Sequence, residues 1–235
     1  CDLHAVKRLD AIYLNNGPQD FYYSRLREKA SFVLIGCRET CDTGFCSSMG
    51  TNRTEDYCLY LRPDGESLLA DCKAEELLPY LEEIPHLSLE VLPEFVEKNH
   101  EKVTLPRKLS TDTFSNPIWE DYGSRCIGCG RCNFVCPTCT CFTMQDIHYR
   151  DNEKAGERRR VWASCQVDGY TDIAGGNSFR KSQGERMRFK VMHKIYDFEK
   201  RFGYPMCVGC GRCDAVCPEY ISYTTIINQL AKEEA

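Results

Sequence analysis

The sequence predicts an α+β/α chain in two parts: an α/β portion over residues 1–105, then a helix-rich domain over residues 106–235. Three observations predict this. Before residue 105, helical apolar spacing alternates with short apolar runs of strand length. Residues 104–117 (TLPRKLSTDTFSNP) are rich in Pro, Ser and Thr, lack an apolar period and read as a linker. Beyond them one cysteine run occurs twice, as CIGCGRCNFVCP (Cys126–Pro137) and CVGCGRCDAVCP (Cys207–Pro218).

The elements follow in order. Residues 2–14 place Val6, Leu9 and Tyr13 at helical spacing, and Asn15-Asn16-Gly17-Pro18 stops that helix. A second helix is expected over residues 20–30, then a short buried strand, Ser31–Gly36. Residues 57–63 alternate like another strand. Residues 73–83 and 90–101 have helical proportions of charged and apolar residues, with Pro79 and Pro93 inside them. Between the cysteine runs, residues 182–202 predict one long helix with Phe189, Met192 and Tyr196 on one side. Residues 221–232 predict a closing helix with Tyr223, Ile226, Ile227 and Leu230 on its apolar face. The chain begins at Cys1 without a methionine, so the α/β portion is expected to lack an N-terminal part.

Composition narrows the function. A chain of 235 residues can bury a core without covalent staples. Its 17 cysteines are an odd number and cluster at two-residue gaps, unlike a secreted disulfide framework. A reducing compartment and metal-bound thiolates follow. No apolar run is long enough to span a bilayer, and no secretory signal is present. The net charge of −5 argues against a nucleic-acid partner. Residues 150–201 are a basic exception, with 13 Lys or Arg against 8 Asp or Glu, and read as a solvated face or a docking surface.

The two runs carry the chemistry. Irons of a [4Fe–4S] cube take one soft thiolate each, and CxxCxxC lets three sulfurs converge on one cube. Gly128, Gly130, Gly209 and Gly211 let the backbone approach. In two-cluster ferredoxins the cysteine before proline ligates the other cluster. One cluster is therefore expected on Cys126, Cys129, Cys132 and Cys217, and a second on Cys207, Cys210, Cys213 and Cys136. A structural zinc site would instead use two separated pairs. The 70 residues between Cys136 and Cys207 exceed what a small ferredoxin holds between its halves. The expected fold is an α-helical ferredoxin-like domain with a helical insertion.

Nine further cysteines remain. Cys37, Cys41 and Cys46 follow a predicted strand, and Cys1 could be brought near them by the first helix. A third [4Fe–4S] cluster and ordinary thiols both fit this set. Cys139 and Cys141 are expected to pack around a cluster, Cys165 near a cluster or a partner surface, and Cys58 in the core, while Cys72 has no motif. His4, His86, His100, His148 and His193 form no paired ligand motif. There is no GxGxxG after a strand, no P-loop and no GxSxG. Gly175-Gly176 is a turn signal. No catalytic residue is expected, and nothing places a siroheme in this chain.

The chain resembles the iron–sulfur subunit of the anaerobic sulfite reductase over nearly its whole length. The resemblance rests on CDLHAVKRLDAIYL, Phe45–Asn52 (FCSSMGTN), Ser124–Phe142, Glu157–Cys165 (ERRRVWASC), Ala174–Arg180 (AGGNSFR) and Cys207–Ile221. It implies a cytoplasmic, non-catalytic subunit of a three-part complex. A flavin- and NADH-binding subunit would supply electrons, and a siroheme subunit would reduce sulfite to sulfide. The alternative is the similar iron–sulfur beta subunit of soluble nickel–iron hydrogenases, the sulfhydrogenases.

Overall fold

A computed structural model describes residues 1–233. It divides into two compact units. The first comprises Cys1–Lys102 with Val208–Cys210; the second comprises Val103–Cys207 and the chain from Gly211 onward.

In the first unit, α1 (Asp2–Tyr13) and α2 (Phe21–Arg27) precede a three-stranded sheet. Helix α1 buries Ala5, Arg8 and Ala11. Val6, Leu9 and Tyr13, expected to form its apolar side, are only half-buried. Alanines permit close packing, and the Arg8 guanidinium meets its need for an acceptor locally, donating to the His4 carbonyl at 3.1 Å. Asp20 caps α2 by accepting from the Tyr23 N–H at 2.9 Å.

The sheet order is β1 (Val33–Ile35), β2 (Leu59–Asp64), β3 (Ser67–Cys72), with β1–β2 parallel and β2–β3 antiparallel. Strand β1 was expected to be buried, yet Val33 and Ile35 are exposed because it forms the sheet's edge. A short apolar run does not report which faces are covered. Strand β3 was not anticipated. A two-residue loop, Gly65-Glu66, joins it to β2 with Gly65 at φ 59°, the conformation a Gly-first hairpin turn requires.

A 3₁₀ turn (Glu75–Leu77) leads into α3 (Leu78–Glu82), which tolerates Pro79 in its first turn. Residues 90–101, expected to be helical, form an extended strap instead. Side chains hold its backbone: the Tyr60 hydroxyl accepts from the Glu94 N–H at 3.2 Å, and Asn52 donates to the Val96 carbonyl at 2.8 Å. Pro93 has no N–H to donate to a helical ladder.

The second unit opens with a 3₁₀ turn (Thr111–Ser115) inside the expected linker, then α4 (Ile118–Arg125). The first cysteine run carries a one-turn helix, α5 (Arg131–Phe134). The insertion was expected to be helical. Its first half instead forms a hairpin of β4 (Phe142–His148) with β5 (Gly156–Trp162), Phe142 opposite Trp162, and a small ladder of β6 (Asp172–Ile173) with β7 (Asn177–Ser178). Arg158 bonds Asp146 across the larger hairpin, so part of the basic segment is spent on cross-strand pairs.

The second half of the insertion is helical. Ser182 and Glu185 form a capping box for α6 (Gln183–Met192), which continues through one π turn (His193–Asp197) into α7 (Phe198–Phe202), where Gly203 ends it at φ 83°. Helices α4 and α6 cross at Gly123 and Gly184, where a Cβ on Gly184 would collide with the Trp119 carbonyl. The second run carries α8 (Arg212–Ala215), and α9 (Tyr223–Glu233) follows, burying Tyr223, Ile226, Ile227 and Leu230. Among the described residues no helix is long and apolar enough to cross a membrane.

Candidate metal centres

The two cysteine runs adopt one local backbone. In the first, Gly128 and Gly130 have φ of 68° and 73°; in the second, Gly209 and Gly211 have 67° and 69°. Left-handed glycines at matching places turn the chain twice within each CxGCGxC and start the one-turn helix that carries the third cysteine. At Gly209 crowding adds to the demand, since a Cβ would lie 2.7 Å from the carbonyl carbon and oxygen of Phe45.

Within the second unit, Cys126, Cys129 and Cys132 line a cavity together with Cys217, the pre-proline cysteine of the other run. Ile127, Met187, Ile221 and Ile226 give it apolar walls. The Ile221 N–H donates to the Cys217 sulfur at 3.3 Å. Burial pushes the Cys126 thiol up, against a backbone hydrogen bond from Gly128 that favours its thiolate. Asp214, beside Cys213, accepts from the Tyr223 N–H at 2.8 Å and so caps α9 against the second run.

Cys136, Cys207 and Cys213 stand around a second charged neighbourhood of the same unit, that of Lys194 and Tyr223. Cys210 groups with the first unit. Cys139 is buried and donates to Cys136, which pulls the Cys136 thiol well down and pushes the Cys139 thiol up. Cys141 and Cys165 form a like pair: hydrogen bonding from Cys165 lowers Cys141 to about 6 and raises Cys165, whose sulfur also accepts from Asn133 at 2.9 Å.

Two lysines and a tyrosine complete the site. Lys190 and Lys194 are 4% and 3% exposed, and among the described residues neither has a carboxylate partner. Their ammonium groups donate to the Cys132 carbonyl at 3.2 Å and to Thr138 Oγ1 at 2.7 Å. Burial alone would drive both pKa values down, yet both are raised, because Cys213 and Cys132 for Lys190, and Cys136 and Cys139 for Lys194, outweigh it. The Tyr223 hydroxyl is buried without a hydrogen-bond partner in the described residues. Unpaired cations and an orphaned donor, walled by thiols, are costly by themselves. They call for an anionic, sulfur-rich occupant.

A [4Fe–4S] cluster meets that requirement: soft thiolates for its irons, apolar walls, and donors and positive charge for its sulfurs. Among the described residues no three His, Cys, Asp or Glu side chains converge closely enough for a single ion. A four-iron cage takes its thiolates farther apart. Sequence reasoning missed Lys190, Lys194 and the orphaned hydroxyl of Tyr223. Their i, i+4 spacing in a helix rich in Met and Val was the available signal for the lysines.

A third group lies in the first unit. Cys1, Cys37, Cys41 and Cys46 line one cavity, with Asn99 and Cys210 also on its wall. Asn99, also missed from sequence, sits on the strap over residues 90–101. It accepts from the Ser47 N–H at 2.7 Å and from Cys46 Sγ at 3.4 Å, and donates to Thr40 at 2.6 Å. Cys58 and Cys72 lie at the sheet, half-buried and outside this cavity.

Comparison with known proteins agrees with this chemistry. The family model of a 4Fe-4S dicluster domain matches residues 125–221. The beta subunit of sulfhydrogenase 2 from Pyrococcus furiosus is 34% identical over 246 aligned residues, which cover 98% of this chain and 71% of that protein. No solved structure matches the chain. The relative favours the hydrogenase alternative over the sulfite reductase.

Proposed function

The chain belongs to the sulfhydrogenase beta-subunit family, and from that membership we propose that it is the electron-relay subunit of a hydrogenase-type complex, holding two [4Fe–4S] clusters. Cys126, Cys129, Cys132 and Cys217 hold the first, and Cys136, Cys207, Cys210 and Cys213 the second. When bound, such clusters supply reversible one-electron transfer. The residues of the chain do the rest. Met187, Ile221 and Ile226 keep water from the first site. Lys190 and Lys194 place fixed positive charge where an added electron would reside, favouring the reduced state. A flavin-bearing subunit feeds electrons in, and a nickel–iron subunit of the same complex is the terminal partner.

The observation that carries this reading is the cavity lined by thiols from both runs with a buried lysine on its wall that has no carboxylate ion pair among the described residues. Anaerobic purification of the complex tests it. About eight irons and eight sulfides per chain are expected, together with nickel in a partner protein and no turnover by the isolated chain. Hydrogen evolution or sulfite reduction by the isolated chain with an artificial donor would refute the relay role. The motifs FCSSMGTN and AGGNSFR support a second reading, a sulfite-reducing complex, and siroheme in place of nickel in the co-purified partner would establish it.

A further inference from the structure

We propose that the first unit holds a third [4Fe–4S] cluster, ligated by Cys1, Cys37, Cys41 and Cys46. This rests on the iron–sulfur reading of the chain but on different residues, none of them in the two repeated runs. The four thiols come from three separate places in the fold, the start of α1, the end of β1 and the loop after it, and they share one cavity.

The setting suits an anionic, sulfur-liganded group. Cys1 is the N-cap residue of α1, so the N–H groups of a 12-residue helix begin beside the cavity and favour negative charge there. Leu34, Ile35, Phe95 and Val96 supply apolar wall. The loop that carries Cys41 and Cys46 is built for a fixed geometry. The Gly44 N–H donates to the Cys41 carbonyl at 3.0 Å, and the Met49 and Thr51 N–H groups donate to the Cys46 carbonyl at 3.1 and 3.0 Å. The buried Asn99 side chain ties the loop's Thr40, Cys46 and Ser47 to the strap. Irregular spacings of C-x₃-C-x₄-C, with the fourth cysteine 36 residues upstream, are tolerated because the sheet and helix bring the ligands together. Cys210, also on this wall, already belongs to a CxxCxxC run.

The test is iron and sulfide counting on the anaerobically purified complex, with Mössbauer spectroscopy of the same samples. About twelve irons per chain are expected, falling to about eight in a Cys37→Ser/Cys46→Ser variant and staying near twelve in a Cys58→Ser/Cys72→Ser control. The eight irons kept by the first variant show that the chain has folded. A count near eight in both the unsubstituted chain and the variant would overturn the third cluster and leave the relay function standing. One zinc, or a Cys37–Cys41 disulfide, with eight irons would also overturn it. Absence of iron altogether would remove both readings.

Discussion

Replacing Lys194 by methionine removes a buried positive charge while keeping the length of the side chain. Its ammonium group donates to Thr138 Oγ1 at 2.7 Å, and that oxygen lies 3.4 Å from Cys136 Sγ. The charge therefore sits within ~6 Å of a sulfur of the second proposed site. At an effective dielectric of about 20, a unit charge at about 6 Å from an added electron contributes roughly 3 kcal/mol. For a one-electron couple this is on the order of 100 mV. The reduced state carries the extra negative charge, so losing the lysine lowers the potential. The assay is an anaerobic redox titration followed by electron paramagnetic resonance, comparing the Lys194→Met variant with the unsubstituted chain. A drop on the order of 100 mV in one of the cluster signals is expected. A shift below about 20 mV, or an upward one, would refute the claim that this lysine is the counter-charge of a cluster.

Two other outcomes are expected. His193 stacks on Phe189 at 5.4 Å, and burial, then Lys194 and Arg180, lowers its pKa to about 4. Between pH 6.5 and 4 the unfolded chain takes up a proton that the folded chain refuses, so this stability is complete above pH 6.5 and falls as the solution is acidified; the loss at pH 5 is about 2 kcal/mol. Thermal melting from pH 7.5 to 5 should therefore show a smaller loss of midpoint in a His193→Gln variant than in the unsubstituted chain. Gly209→Ala, at φ 67° with a Cβ pressed on the Phe45 carbonyl, should cost about 2 kcal/mol or more, whereas Gly176→Ala, at φ 72° in open space, should cost about 1 kcal/mol. Denaturant unfolding of both variants measures the difference.

Local spacing made some features legible. The helix at residues 2–13, the closing helix and its apolar residues Ile226, Ile227 and Leu230, and the two cysteine runs are each written within a dozen consecutive residues. Features that depend on distant neighbours were not. Pattern alone read 90–101 as a helix, but its backbone is held by Tyr60 and Asn52 from the sheet and the loop before it. The β4–β5 hairpin was missed inside an insertion expected to be helical, because a basic stretch such as ERRRVW carries no period strong enough to separate strand from helix.

The sequence by itself determined the chemistry of this protein. Thiolates at two-residue gaps, glycines where the chain must turn left-handed, and an odd total of cysteines point to iron and sulfide before any fold is known. Only the tertiary structure decided the electrostatics and the company each thiol keeps. It sank Lys190 and Lys194 among thiols with no carboxylate in ion-pair contact among the described residues, left the Tyr223 hydroxyl without an acceptor there, and gathered Cys1, Cys37, Cys41 and Cys46 around one cavity. The reason is physical: ligand type is a property of the side chain, whereas burial and convergence belong to pairs of residues that meet only when the chain has folded.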